Sequence, residues 1–127
     1  MPINDLAKLL KYANPELQPG TYVYVSVAEP PTVSAKDIVM SFRESEGLTL
    51  ILSKQVAVAH GLDYGYEASW ITMKVTSALE AVGFTAAFAT ALGSHHISCN
   101  VVAGYYHDHL FVAASDGERA VEILRSL

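Results

Sequence analysis

The chain has 127 residues and a mass of 13.7 kDa, enough to bury a compact core without a metal or a disulfide staple. Hydrophobic residues make up 51% and charged residues only 17%, below the roughly one quarter usual for a soluble domain, so part of the outer surface is expected to lie against a partner. A net charge of −5 with no cluster of Lys and Arg gives no footprint for nucleic acid, and the nearly uncharged run 81–98 is too interrupted to span a membrane.

The start, MPINDLAKLL, lacks the charged-then-apolar order of a secretion leader. The single Cys99 allows no internal disulfide and reads as a core thiol in an apolar strand. Both features point to the cytoplasm.

Taken in order, Asn4 can cap a short helix whose Leu6, Leu9, Leu10 and Ala13 share one face, ended by Asn14-Pro15. After Pro19-Gly20, the alternation from Tyr22 to Val27 predicts a strand closed by Glu29-Pro30-Pro31. Ile38 to Arg43 and Leu48 to Leu52 read as a hairpin. A short helix, Lys54 to His60, follows and stops at Gly61.

In the second half, Ser69 to Thr76 places Ile71, Met73 and Val75 on one face of a strand and Trp70, Thr72, Lys74 and Thr76 on the other. A helix ending near Leu92-Gly93 carries no charge between Ala81 and Gly93. A surface helix shows a polar stripe, so this one is expected to pack on its own sheet and on another helix, from the first half or from a second copy. Ile97 to Ala103 and His109 to Ala114 read as strands. Ser115 and Glu118 form a capping box for a last helix that buries Ala120, Val121, Leu124 and Leu127.

The element order is α-β-β-β-α, then β-α-β-β-α, joined at 61–65, and the second half matches a ferredoxin-like unit short of its final strand. Unfinished sheet edges invite strands to be exchanged. Tyr22 to Val27 is the strand that could add to either half.

No nucleophile with a base, and no GxSxG, HExxH, Walker or GxGxxG pattern, occurs in the sequence. His107-Asp108-His109 carries metal-ligand chemistry, but neighbouring residues of a strand point to opposite faces and rarely converge on one ion. His95-His96 stands where a helix ends and a polar group can take up terminal carbonyls. Arg43, beside Glu44 and Glu46, is either the charged tip of a hairpin or a carboxylate partner.

The segment from Ser77 to Thr85 admits two registers. If the helix starts at Ser77, Ser77 and Glu80 form a capping box. If it starts near Val82, Glu80 is free to hold an amine, and the free amides of the first turn can take a carboxylate.

The runs FRESEGLTLIL (Phe42 to Leu52), WITMKVTSALEAVGFTAAFATAL (Trp70 to Leu92) and ISCNVVAGYYHDHLFV (Ile97 to Val112) closely resemble bacterial tandem ACT-domain proteins, over most of the chain after about Asp37. The resemblance implies an α+β fold of ferredoxin-like βαββαβ-type modules in tandem, with antiparallel sheets and helices on one face. The expected modules are 1–62, divergent, and 63–127. Such modules bind amino acids or similar small ligands at interfaces between paired modules, commonly to regulate metabolic enzymes.

Their turn after the first strand carries an acid followed by x-Pro-Gly, and Glu80-Ala81-Val82-Gly83 keeps the acid and the glycine but has Val82 in place of proline. By that resemblance Ser77, Leu79, Glu80, Gly83, Phe84 and Thr85 take the ligand position, and Asn100 and Val101 line it from the adjoining strand. The reading is a non-enzymatic sensor, a homodimer or higher homo-oligomer with an amino acid or small carboxylate as ligand, using no cofactor, no metal, no nucleic acid and no membrane. The rival readings are a ligand-free dimerisation module and a small metal enzyme built on His107, Asp108 and His109.

Overall fold

The computed structural model describes residues 5–75, 78 and 80–127. The chain forms two compact units, one made of Gly20–Ala68 and the other of Met1–Pro19 together with Ser69–Leu127. We call them the inner and the outer unit.

In the inner unit, β2 (Tyr22–Val27) pairs antiparallel with β4 (Gly47–Ser53), and β4 pairs with β3 (Ile38–Glu44) across the hairpin the sequence predicts. On its other side β2 pairs with the start of β5 (Tyr66–Met73), Tyr22 facing Ala68 and Tyr24 facing Tyr66. The strand order β3-β4-β2-β5 is that of a ferredoxin-like sheet. Val23, Val25, Leu50 and Leu52 alternate onto the face that α2 (Lys54–Ala59) covers with Ala57. Ser53 caps α2, its hydroxyl accepting the Val56 amide at 3.1 Å.

A ferredoxin-like unit places a helix between its first two strands. Here the stretch between β2 and β3 holds only a 3-10 turn at Ala35–Asp37. Pro30-Pro31 supplies no amide hydrogens and resists helical continuation, which accounts for the divergence of this half.

The outer unit follows the order β5, α3 (Phe84–Gly93), β6 (Asn100–Ala103), β7 (Asp108–Ala113) and α4 (Gly117–Arg125). Its sheet order is β5-β7-β6, with β1 (Pro15–Leu17) paired on the free side of β5, Pro15 facing Met73 and Leu17 facing Ile71. The strand absent from the second half of the sequence is thus drawn from the start of the chain. Only three residues long and opened by proline, β1 carries too little alternation to be read in advance. The exchanged element is β1, whereas Tyr22 to Val27 stays within the inner unit.

Leu9, Ile71, Met73, Phe84, Phe88, Leu92, Leu110, Val112 and Leu124 form the outer core. Each large apolar side chain among them contributes about 1.5–3 kcal/mol by leaving water. The uncharged α3 buries Phe84, Phe88 and Leu92 and packs against both α4 and α1 (Leu6–Lys11). The second helix expected for it is therefore α1, from the chain's own beginning.

Several local expectations change. Asp5, not Asn4, caps α1, accepting the Lys8 amide at 3.2 Å; Asn4 lies outside the described residues. β5 begins at Tyr66 rather than Ser69, because β2 pairs with its first residues. The strand expected from Ile97 begins at Asn100, since Ile97 is committed to closing α3. The Ser115 capping box does not form: a 3-10 turn spans Ala114–Asp116, Asp116 takes the cap position, and Glu118 falls in the first helical turn. Leu127, past the end of α4, remains exposed.

Candidate functional site

α3 starts at Phe84. Its cap is Gly83, whose backbone adopts a left-handed conformation at φ 91°, open to glycine because it has no Cβ to collide with the following carbonyl. The Ala87 amide donates to the Gly83 carbonyl at 2.9 Å, making the first helical bond. Glu80 lies in the preceding turn, exposed, so of the two registers the structure takes the later one and Glu80 is not the third residue of the helix. Gly83 has no side chain to cap the first turn, where the positive end of the helix dipole lies.

The expected site residues fall into three places. Glu80, Gly83 and Thr85 gather at the opening of α3, with Glu80 and Thr85 exposed. Phe84 is buried and meets Phe88 edge-to-face at 5.1 Å, in the core cluster against which Val101 also packs. Asn100 pairs with Phe111 and therefore shares the face opposite Val101; its amide nitrogen donates to the Phe111 carbonyl at 3.2 Å. Ser77 and Leu79 lie outside the described residues. Arg43 stands exposed on β3, facing Leu48 across the hairpin, in the inner unit.

A polar cluster that the sequence does not announce occupies the face of the outer sheet away from the helices. The Trp70 indole nitrogen donates to His109 Nδ1 at 3.0 Å, the Thr72 hydroxyl lies 3.1 Å from the same nitrogen, and the Gln18 amide nitrogen donates to Thr72 at 3.0 Å. Trp70 also stacks over Phe111, ring centres 6.0 Å apart. An indole N–H only donates, so Nδ1 is the acceptor and the neutral ring carries its hydrogen on Nε2. Burial first, then the nearby His107 and Lys74, push the His109 pKa down. The sequence shows Trp70 and Thr72 on one face of a strand; nothing in it brings Gln18 or His109 to them.

His107, Asp108 and His109 do not act as a set. Asp108 is buried, His109 turns toward Trp70, and His107 Nδ1 lies 3.4 Å from the Val75 carbonyl. Among the described residues no group of three His, Cys, Asp or Glu is placed to hold a metal ion. His95 and His96 close α3 as the sequence suggests: the Ile97 amide reaches Leu92, the His96 amide reaches Gly93, and His95 Nδ1 lies 2.9 Å from the Ala91 carbonyl. His96, at φ 60°, fills the left-handed position that glycine usually takes in this ending. Cys99 precedes β6, half-buried against the core, and its burial pushes the thiol up to about 11.

The ACT-domain family matches residues 1–69 and again residues 66–126. The chain belongs to the ACT-domain family. A Vibrio cholerae protein of unknown function, named as a "Possible Transport Protein", is 44% identical over 93% of this chain and 91% of its own, with a TM-score of 0.80. An Agrobacterium tumefaciens protein is 18% identical over 88% of this chain and 86% of its own, TM-score 0.68. The regulatory subunit of aspartate kinase from Thermus flavus shares the fold at 9% identity, over 88% of this chain and 95% of its own, TM-score 0.60. No curated protein matches the chain. The ACT modules here are tandem and ferredoxin-like, with the outer one completed by β1. No helix among the described residues is long and apolar enough to cross a membrane.

Proposed function

We propose that this ACT protein is a non-enzymatic regulator that binds an amino acid or a similar small carboxylate at the opening of α3 and acts as a homodimer in the cytoplasm. The observation that carries the reading is the late start of α3 behind a left-handed Gly83. It leaves uncapped amides for a carboxylate and frees Glu80 for the ligand's amine. Gly83 lets the ligand approach the backbone, and Thr85 offers a hydroxyl beside it. Phe84 and Val101 back the opening from the core, while Ser77, Leu79 and Asn100 enter the proposal by the family resemblance alone. The fold shared with a regulatory subunit of aspartate kinase and the family's habit of sensing amino acids support the same assignment.

The mechanism is a shift of population: a ligand that binds one packing of the dimer better than another stabilises that packing by its difference in affinity. No covalent step enters it. Thermal unfolding in the presence of each of the twenty amino acids tests the proposal. One of them, at millimolar concentration, should raise the melting temperature, and Glu80→Ala should weaken its binding by roughly tenfold or more. If none of the twenty stabilises the protein, the reading gives way to a ligand-free dimerisation module.

A further inference from the structure

A hollow of about 490 Å³ opens in the outer unit between the ends of α1 and α4, large enough for a small metabolite. Leu10 and Leu124 contribute apolar wall, while Lys11, Tyr12, Asn14 and Arg125 contribute polar groups. In a chain of net charge −5, no carboxylate among the described residues lines this hollow. Every ion pair among the described residues lies elsewhere, on Lys54, Lys74 and Arg119. Lys11 and Arg125, both exposed, therefore line the hollow without an ion-pair partner among the described residues. The Lys11 ammonium sits 5.4 Å from the centre of the Tyr12 ring, which directs it without neutralising it.

We infer that the hollow between the ends of α1 and α4 binds a small organic dianion, its charged group of carboxylate or phosphate type held by Lys11 and Arg125. The guanidinium of Arg125 can take two anionic oxygens at once and the Lys11 ammonium a further one. The Tyr12 hydroxyl and the Asn14 amide supply neutral donors. The apolar wall between them favours an anion with a carbon body over a bare inorganic ion. This site is separate from the opening of α3 and does not depend on what binds there.

Each cation also stands in the last turn of its helix, where it offsets free carbonyls. Stability alone would not separate the two roles; anion affinity does. The experiment is isothermal titration calorimetry at low ionic strength with inorganic phosphate, phenyl phosphate and succinate on the full chain, and on Lys11→Met, Arg125→Met and the double variant.

The expected result is binding of phenyl phosphate or succinate, tighter than inorganic phosphate, weakened roughly tenfold by either single substitution and lost in the double variant. Lys36→Met, on an exposed cation of the inner unit, should bind as the parent does. Far-UV circular dichroism checks each variant, and if Arg125→Met fails to fold, Lys11→Met carries the test. No binding of either organic anion up to about 10 mM, or unchanged affinity in Lys11→Met, would overturn the inference. A preference between phenyl phosphate and succinate identifies the charged group as phosphate or carboxylate.

Discussion

His109 is held in one protonation state by its surroundings. Its Nδ1 accepts from Trp70, and its pKa is pushed below the ordinary value by burial, then by His107 and Lys74. A proton on Nδ1 would set two donors against each other. The folded pKa is lower than the unfolded one, near 6.5, so in acid the unfolded chain binds more protons. The contribution is fully present above about pH 6.5 and is lost as pH falls through the folded pKa. We predict that acidification lowers stability in that window, and that His109→Gln flattens the dependence. Trp70 is the protein's single tryptophan, so its fluorescence reports the transition directly.

Cys99 gives a second prediction at this scale. With a thiol pKa raised to about 11 by burial, only about one molecule in a thousand carries the reactive thiolate at pH 8. A disulfide reagent should label the folded protein slowly and the denatured protein far faster. The core reading of Cys99 was available from its apolar neighbours. The Trp70–His109 bond was not, because it joins residues 39 positions apart with no pattern to relate them.

At the scale of elements, α3 owes its position to its two ends. At its start, a Cβ on Gly83 would lie 3.3 Å from Leu6 Cδ2 and would stand on a backbone at φ 91°. Gly83→Ala should therefore cost about 1–2 kcal/mol from the left-handed backbone alone, read from urea unfolding. At its end the strain is reversed: His96 already occupies a left-handed position at φ 60°. His96→Gly should raise stability by up to about 1 kcal/mol, because glycine relieves that conformation while the Ile97 and His96 amides keep their bonds.

The helices and hairpins with regular periodicity were legible from sequence, and β2 keeps the bounds the alternation gives it. The helix start at Phe84 was not. A Ser-x-x-Glu pattern at Ser77 and a glycine at Gly83 both signal helix openings, and only packing chooses between them. Leu6 against Gly83 and Phe84 in the core decide for the later start. The false capping box at Ser115 has the same origin: a local signal outvoted when Gly117 was drawn against Ser69. A Cβ at Gly117 would meet the Ser69 hydroxyl at 2.6 Å and Leu17 at 3.2 Å.

For the whole molecule, the outer unit is assembled from two separated stretches of sequence, and residues 5–19 are part of its fold. β1 satisfies the free edge of β5, and Leu9 and Ala13 enter the same core as Phe88 and Leu110. Deleting residues 1–19 should leave the edge of β5 unpaired and expose the core, giving loss of cooperative unfolding or aggregation of the remaining chain. A chain shortened at a dispensable tail would keep its melting transition, and calorimetry separates the two.

Tandem ferredoxin-like modules were legible from element order and from resemblance. The strand that completes the second module was not, because three residues opened by Pro15 carry no signal of their own and gain their meaning from β5. The central claim, that the opening of α3 binds an amino acid, is tested most directly by following backbone amide resonances during titration with the stabilising amino acid. The Gly83, Phe84 and Thr85 amides should shift most, and Glu80→Ala should suppress those shifts. Saturable shifts confined to other parts of the chain, with these three amides unmoved, would contradict that claim.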